Sequence, residues 1–304
     1  MLSDEPKITT NFPEKISVGI PTYNRADSLN RTLDCILNQS YKNLEIIISD
    51  NCSTDNKVEE IILSYASKDP RIVVCFQQEN IGMMRNFNFV AKKATGSFFM
   101  WKADDDIIED KDFILKLHTK LKEADSDFAF PECFYQNDDG SKTSALNKIY
   151  SKCLTKFDYL KGCITFSGLE FYGLYNLNKF NRDFELKVKE DIVCPDVLYI
   201  PYLFLNHKVI FVSDTHYIFV HEPSTDGFQI NLNLFKDRQI VMRDLITTFA
   251  ATELIAPGER KEIVTIILRY YESILNQKYS IPKLKQAEID IKNKIKKLLR
   301  IGKT

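Results

Sequence analysis

The feature that most constrains the fold of this chain is the alternation of two hydrophobic periods along its first hundred residues. Lys15 to Ile20 is a run rich in β-branched residues that ends at Pro21-Thr22-Tyr23-Asn24, the pattern of a strand followed by a loop. Leu29, Leu33, Ile36 and Leu37 then recur at helical spacing. Glu45 to Ser49 is a continuous Ile-rich strand that stops at Asp50. Val58, Ile61, Ile62 and Tyr65 predict a second helix, and Arg71 to Phe76 a third strand. Met84, Phe87, Val90, Ala91 and Ala94 predict a third helix, after which Ser97 to Trp101 makes a fourth strand. Such a repeat needs crossover connections, so the expectation is an α/β fold whose mostly parallel central sheet is flanked by helices. Strands that are apolar throughout, as opposed to alternating, fit burial on both faces.

In sheets of this kind ligands bind outside the carboxyl ends of the strands. That rule gathers Thr22-Tyr23-Asn24, Asp50-Asn51 and Asp104-Asp105-Asp106 on one rim. The last of these is three adjacent carboxylates directly after the apolar run Phe98 to Trp101. Their mutual repulsion would be offset by a hard divalent cation with a diphosphate on its far side. An acidic turn capping the next helix is the plainer alternative.

Composition narrows the classes. With 304 residues, 44% hydrophobic and 27% charged, the chain can bury a sizeable core. A formal net charge of −1 gives no global footprint for nucleic acid. Met1 to Lys15 is polar, without the apolar centre of a signal peptide, and no run is long enough to span a bilayer. The seven cysteines are scattered with no Cys-x-x-Cys pair, which fits reduced thiols and a cytoplasmic setting. Ten glycines with no Gly-x-Gly leave neither a phosphate loop nor a dinucleotide fingerprint. His-Glu-x-x-His and Gly-x-Ser-x-Gly are also missing, against zinc protease and α/β-hydrolase readings. A diphosphate held here would need a metal in place of a glycine cradle.

Four blocks then carry a family resemblance. Val18-Gly19-Ile20-Pro21-Thr22-Tyr23-Asn24-Arg25 resembles the opening motif of family 2 glycosyltransferases, and Glu45 to Asp55 a second block. Asn80-Ile81-Gly82 with Arg85-Asn86 is similar to a third, and the acidic strand end to a fourth. The four stand in the family's order over residues 15 to 115. The resemblance implies the GT-A fold and metal-dependent, inverting transfer of a hexosyl or N-acetylhexosaminyl group from a nucleotide-diphosphate sugar, most simply UDP-linked. It implies Mg2+ or Mn2+ as cofactor and a hydroxyl of a glycan or lipid-linked glycan as acceptor, as in bacterial surface polysaccharide synthesis.

Donor contacts are then expected from Pro21, Thr22, Tyr23, Asn24, Asp50, Arg85 and Asp104. Tyr23 can stack a nucleobase, and Asp50 can accept from a base N–H. Tyr23 packing on the first helix and Asp50 capping one are the structural alternatives. The family usually reads Asp-x-Asp-Asp before an aliphatic residue. With Ile107 fixing the register, the first Asp falls on Ala103 and Asp105 becomes the primary metal ligand. Asp106 is its structural neighbour on the metal side, and Asp104 serves the ribose or a metal-bound water. A slide by one residue would make Asp104-x-Asp106 the motif. Ala103 also keeps open a degenerate nucleotide-sugar-binding module. A nucleotidyltransferase would want a glycine-rich basic loop after the first strand, for which Pro21 to Arg25 is a poor substitute.

The second half is less legible. Asp127 to Pro131 reads as a strand, Asn137-Asp138-Asp139-Gly140 as a turn, and 150 to 222 as short mixed elements. An inverting transferase needs a base for the acceptor hydroxyl. Asp196, ahead of an apolar helical stretch to Leu205, is the first candidate, followed by Asp191 and Glu190; all three could equally cap helices. His207 to Val212 reads as a strand. His221 after Tyr217 to Val220 is a candidate for the metal or diphosphate, while His118 and His207 read as structural. Phe166, Phe171, Tyr172 and Tyr175 could stack on acceptor sugars or be core.

Residues 1–229 are expected to form the transferase domain, with a nucleotide half at 15–125 and an acceptor half at 126–229, and 230–304 a helical region. Within the latter, Leu284 to Ile301 puts Leu284, Ala287, Ile291, Ile295 and Leu298 on one face amid Lys285, Lys292, Lys296, Lys297 and Arg300. This is a terminal helix with a solvated face, or a basic amphipathic helix resting on the inner face of the cell membrane.

Overall fold

The computed structural model describes residues 14–137, 139–163, 168–180, 196–220 and 245–278. The expected alternation is present: β1 (Ile16–Thr22), α1 (Ala26–Leu37), β2 (Leu44–Asp50), α2 (Asn56–Ala66), β3 (Ile72–Phe76), α3 (Met83–Lys93), β4 (Phe98–Trp101) and α4 (Phe113–Glu123). β1 pairs in parallel with β2 and β4, and β2 with β3. β1 and β4 are buried along their whole length, as uninterrupted apolar strands covered on both faces must be.

With the right-handed crossovers that parallel strands favour, the order β3-β2-β1-β4 puts α1 and α2 on one face and α3 on the other. Gly19 explains how closely α3 approaches. A Cβ there would lie 2.7 Å from Cγ2 of Val90 and 2.8 Å from Cζ of Phe99.

Beyond β4 the sheet is mixed, which the strand periodicity alone does not disclose. The strands that follow are β5 (Phe128–Gln136), β6 (Lys142–Ser144), β7 (Leu174–Asn176) and β8 (Val209–Val220). The order is β3-β2-β1-β4-β7-β5-β6, with β8 on β5 off this path. Three-residue β7 lies antiparallel between β4 and β5, and β6 antiparallel on β5. The expected strand at 127–131 continues to Gln136 because its outer half pairs with β6, and the N–H of Gly140 donates to the Asn137 carbonyl between the two strands. The strand expected at 207–212 runs on to Val220, with a shift in its parallel register on β5 between Pro131 and Glu132.

Helices α5 (Asn147–Tyr150), α6 (Lys156–Cys163) and α7 (Asp196–Asn206) complete this half. Residues 245–251 are helical, and α8 (Pro257–Lys278) follows. Phe249, Ile263 and Ile267 of these segments are fully buried in the same core as the sheet. The basic stretch 284–301 lies outside the described residues.

Candidate active site

Three loops meet at the carboxyl ends of β1, β2 and β4. The first is stitched to the second by Asn24, whose left-handed backbone (φ 54°) aims its carboxamide across the gap. Its Oδ1 accepts from the backbone N–H of Thr54 at 2.8 Å, and the hydroxyl of Ser53 accepts from the N–H of Asn24 at 2.8 Å. Asp50 is 5% exposed, and its carboxylate accepts the N–H and hydroxyl of Ser53. It thereby shapes its own loop, and the neighbouring Asn51 faces the cleft instead.

Asn51 and Asn86 build the floor. Asn51 donates to Oδ1 of Asn80 and accepts from the N–H of Ile81, both at 2.9 Å. Asn80 in turn accepts from the N–H of Gly82, whose φ of 85° turns the chain into α3. Buried Asn86 accepts from the Ser49 hydroxyl at 2.6 Å and donates to the Ser49 carbonyl at 3.0 Å. Three asparagines therefore tie the end of β2 to the start of α3. Arg85 is exposed on the first turn of α3.

The acidic turn is anchored from below. Lys102 is completely buried, and its ammonium donates to the carbonyls of Ala103 (2.6 Å) and Asp106 (2.8 Å) over the ring of Tyr217. A buried lysine satisfied by carbonyl oxygens is the arrangement that makes such burial tolerable. The N–H of Ala103 donates to the Tyr217 hydroxyl, and Ile107 forms a two-way bridge with Ile218 of β8. Asp106 turns inward, 4% exposed, accepting from the N–H of Val220 at 3.1 Å. Burial pushes its carboxyl up to about 7, with the Asp105 charge adding to the rise and the ammonium of Lys102 opposing it.

Asp104 and Asp105 face the cleft. Burial, then the charge of Asp105, pushes the Asp104 carboxyl up to about 6 against the pull of Thr22, Arg25 and Lys102. Asp105 is held by α1: Arg31 donates to its carbonyl at 2.9 Å, and a guanidinium nitrogen of Arg25 lies 3.5 Å from its Oδ2.

The cleft has a volume of about 350 Å3 and is lined by Pro21, Thr22, Tyr23, Arg25, Asn51, Asn80, Met83, Asn86, Phe87, Ala103, Asp104, Asp105 and Tyr172. That volume is within the range of small-ligand sites. Of the residues singled out from sequence, Pro21, Thr22, Tyr23, Asp104 and Asp105 converge here. Asn24, Asp50, Arg85 and Asp106 are their neighbours but do not line it. Asp191, Glu190 and His221 lie outside the described residues. Asp196 opens α7, and its side chain is likewise outside them.

Among the candidate acceptor aromatics, Phe171 and Tyr175 are core, Trp101 stacking on Phe171 at 4.5 Å, whereas Tyr172 reaches the cleft and stacks on Tyr217. Phe166 is outside the described residues. His118 and His207 are structural: they sit against Glu14 and Asp127, and their rings pack on Phe98 and Phe180.

Among the described residues no three His, Cys, Asp or Glu side chains converge as a complete metal cage. The donors present are two adjacent carboxylates on an open wall. That set suits Mg2+ or Mn2+, which can take one or two carboxylates and fill the remaining positions with phosphate oxygens and water. Arg25, Asn51, Asn80, Asn86 and Lys102 were given no site role from sequence, Asn51 being placed only on the rim. The first four sit within the quoted motif blocks, and Lys102 is a charge at the end of an apolar strand.

A half-sheet in the order β3-β2-β1-β4, with an acidic turn after β4 facing loops from β1 and β2, defines a GT-A type α/β fold. Residues 17–193, more than half of the chain, match the family described as Glycosyl transferase family 2, and the chain belongs to that family. Relatives include the Bacillus subtilis putative teichuronic acid biosynthesis glycosyltransferase TuaG, 32% identical over 162 residues (51% of this chain, 62% of TuaG). Another is the Streptococcus pneumoniae glycosyltransferase GlyA, 34% identical over 116 residues (38% of this chain, 16% of GlyA). The chain thus spans only part of the length of these relatives. Among solved structures, S. aureus TarS in complex with UDP-GlcNAc superposes with a TM-score of 0.70 at 21% identity, over 85% of this chain and 73% of that one. The Pyrobaculum calidifontis mannosyltransferase PcManGT, solved with GDP-Man and Mn2+, gives 0.54 at 14% identity, over 93% and 81%. At these identities the likeness establishes the fold.

Proposed function

We propose that this protein transfers a hexosyl or N-acetylhexosaminyl group from a UDP-linked sugar to a hydroxyl of a glycan or lipid-linked glycan, with inversion and with Mg2+ or Mn2+. The observation that carries the reading is the convergence of Tyr23, Arg25, Asp104 and Asp105 on one cleft at the strand ends. An exposed aromatic ring, a cation and a pair of carboxylates are what a base, a diphosphate and its counter-ion require. The UDP-GlcNAc in the TarS complex and the Mn2+ in the mannosyltransferase complex support the same assignment.

Asp105 would be the main holder of the cation, assisted by Asp104, with Asp106 bracing the turn and His221 as a further candidate for the metal or diphosphate. The cation would supply charge neutralisation for the departing diphosphate. Tyr23 stacks the base, with Pro21, Thr22, Asn24, Asp50 and Arg85 shaping or supporting that end. An acidic group from the segment leading into α7, Asp196 first and then Asp191 or Glu190, takes the acceptor proton as its oxygen attacks the anomeric carbon. The sugar passes directly, without a covalent enzyme intermediate. The test is turnover of a panel of UDP-sugars with Mn2+. Activity abolished in Asp105→Ala supports the reading, and activity that survives it does not.

Ala103 favours a second reading, a binding module without turnover, because it removes a carboxylate that the family usually places here. UDP binding in calorimetry without consumption of any donor would select it.

A role in surface polysaccharide assembly is supported by TuaG. A cytoplasmic enzyme touching the membrane through residues 284–301 would meet a lipid-linked acceptor there. No described helix is long and apolar enough to cross a membrane. Liposome flotation of the full chain against a truncation before Ile281 checks the contact, and equal partitioning refutes it.

A further inference from the structure

Arg25 stands at the entry to α1, and its guanidinium reaches across the cleft mouth to Asp105, with Nη2 at 3.5 Å from Oδ2. Both side chains are about one-quarter exposed, so the pair is neither a free surface contact nor a sealed interior one. Arg25 has interactions beyond this pair. Among the described residues lining the cleft it is the single Lys or Arg, and its charge also acts on Asp104. The chain has no glycine-rich phosphate cradle, so positive charge for a diphosphate must come from a side chain or a bound cation.

Two demands therefore fall on one carboxylate. A divalent cation on Asp105 would face the guanidinium across a few ångströms, and like charges at that distance repel. A diphosphate entering the cleft removes the conflict, because it can accept from the guanidinium and ligate the cation together.

From this geometry we propose that Arg25 is a stand-in for the divalent cation. In the ligand-free protein it neutralises Asp105 and opposes metal binding, and on donor binding it transfers to the diphosphate and leaves Asp105 to the metal. The consequence is that metal and nucleotide bind interdependently, the metal weakly until the diphosphate arrives. This rests on the nucleotide-sugar reading of the cleft.

The test is calorimetric titration of Mn2+ into the full chain with and without UDP, for the unaltered protein, Arg25→Gln, Arg25→Lys and Asp105→Asn. A partly exposed ion pair is worth up to about a factor of five in an equilibrium constant, so Arg25→Gln is expected to bind Mn2+ alone up to about fivefold more tightly. The same variant, saturated with Mn2+, is expected to bind UDP about tenfold more weakly for want of a charge-assisted contact, and Arg25→Lys to recover part of that loss. These opposite signs are what a merely destabilising substitution would not give, and thermal melts of each variant confirm the fold. Mn2+ affinity in Arg25→Gln that is unchanged or weaker overturns the stand-in role while leaving the metal site intact. Mn2+ binding undiminished in Asp105→Asn, or absent from every variant, overturns the metal reading of the cleft as well.

Discussion

The asparagine bridge between β2 and α3 makes a quantitative prediction. Asn86 is 2% exposed, and its carboxamide both accepts from the Ser49 hydroxyl and donates to the Ser49 carbonyl, while Gln77 donates to the same hydroxyl at 3.0 Å. Asn86→Ala removes two buried hydrogen bonds, each worth about 1 kcal/mol net, and leaves the Ser49 O–H without its acceptor where water does not reach, at a further ~1 kcal/mol or more. Alanine returns roughly half a kcal/mol through its better helix propensity. The expected loss is therefore about 2 to 3 kcal/mol, an unusually large value for an asparagine.

Urea unfolding at constant m-value measures it. Ser49→Ala and the double variant complete a cycle in which the pair should show coupling of about 1 kcal/mol or more, because the bond from the Ser49 hydroxyl to the Asn86 carboxamide is lost in either single variant. An additive cycle, or an Asn86→Ala loss below about 0.5 kcal/mol, would mean that the bridge does not hold the cleft floor and that the asparagines there have another purpose.

Three further outcomes follow from the same geometry. Gly19→Ala drives a methyl into Val90 and Phe99 and should cost about 1 to 3 kcal/mol in urea unfolding; a neutral effect would deny the close approach of α3. Burial tends to raise the Glu45 carboxyl, but hydrogen bonds from Ser17 and Thr95 and the charge of Lys15 outweigh it and leave the group below its usual 4.5. A depressed carboxyl stabilises above its unfolded pKa and loses that contribution as pH falls through its folded value. The stability difference between the protein and Glu45→Gln should accordingly be full at pH 7 and shrink below about pH 4.5, and a pH-independent difference would contradict the assignment. Tyr23→Ala should weaken UDP binding by about tenfold, the order expected for losing one base stack, with little change in melting temperature since the ring is 40% exposed.

The first half, through β4, was legible because its strands are apolar on both faces and its helices on one, so period alone separated them. Boundaries moved by only a residue or two where turn residues such as Pro21 and Asp50 belong to the strand ends. The part beyond β4 was not, because β7 spends only three residues in the sheet and β8 carries an irregular register, and neither leaves a usable period. At the site, Tyr23 and Asp105 were readable as motif residues with nothing apolar to do. What the sequence could not convey is direction. Asp50 and Asp106 look like their neighbours in the chain, yet each turns its carboxylate onto a backbone N–H, of Ser53 and Val220 respectively. Lys102, which stands two residues ahead of three carboxylates in the sequence, spends its charge on two carbonyls beneath them.

The central claim is that the cleft at the ends of β1, β2 and β4 holds a nucleoside diphosphate through a cation on Asp105. A crystal structure with UDP and Mn2+ tests it most directly. The account predicts the uracil ring against Tyr23, Mn2+ on the Asp105 carboxylate, and Arg25 turned from Asp105 to the diphosphate. UDP lodged instead in the polar groove beside α1 lined by Asn30, Arg31 and Glu109, with Arg25 still on Asp105, would contradict it.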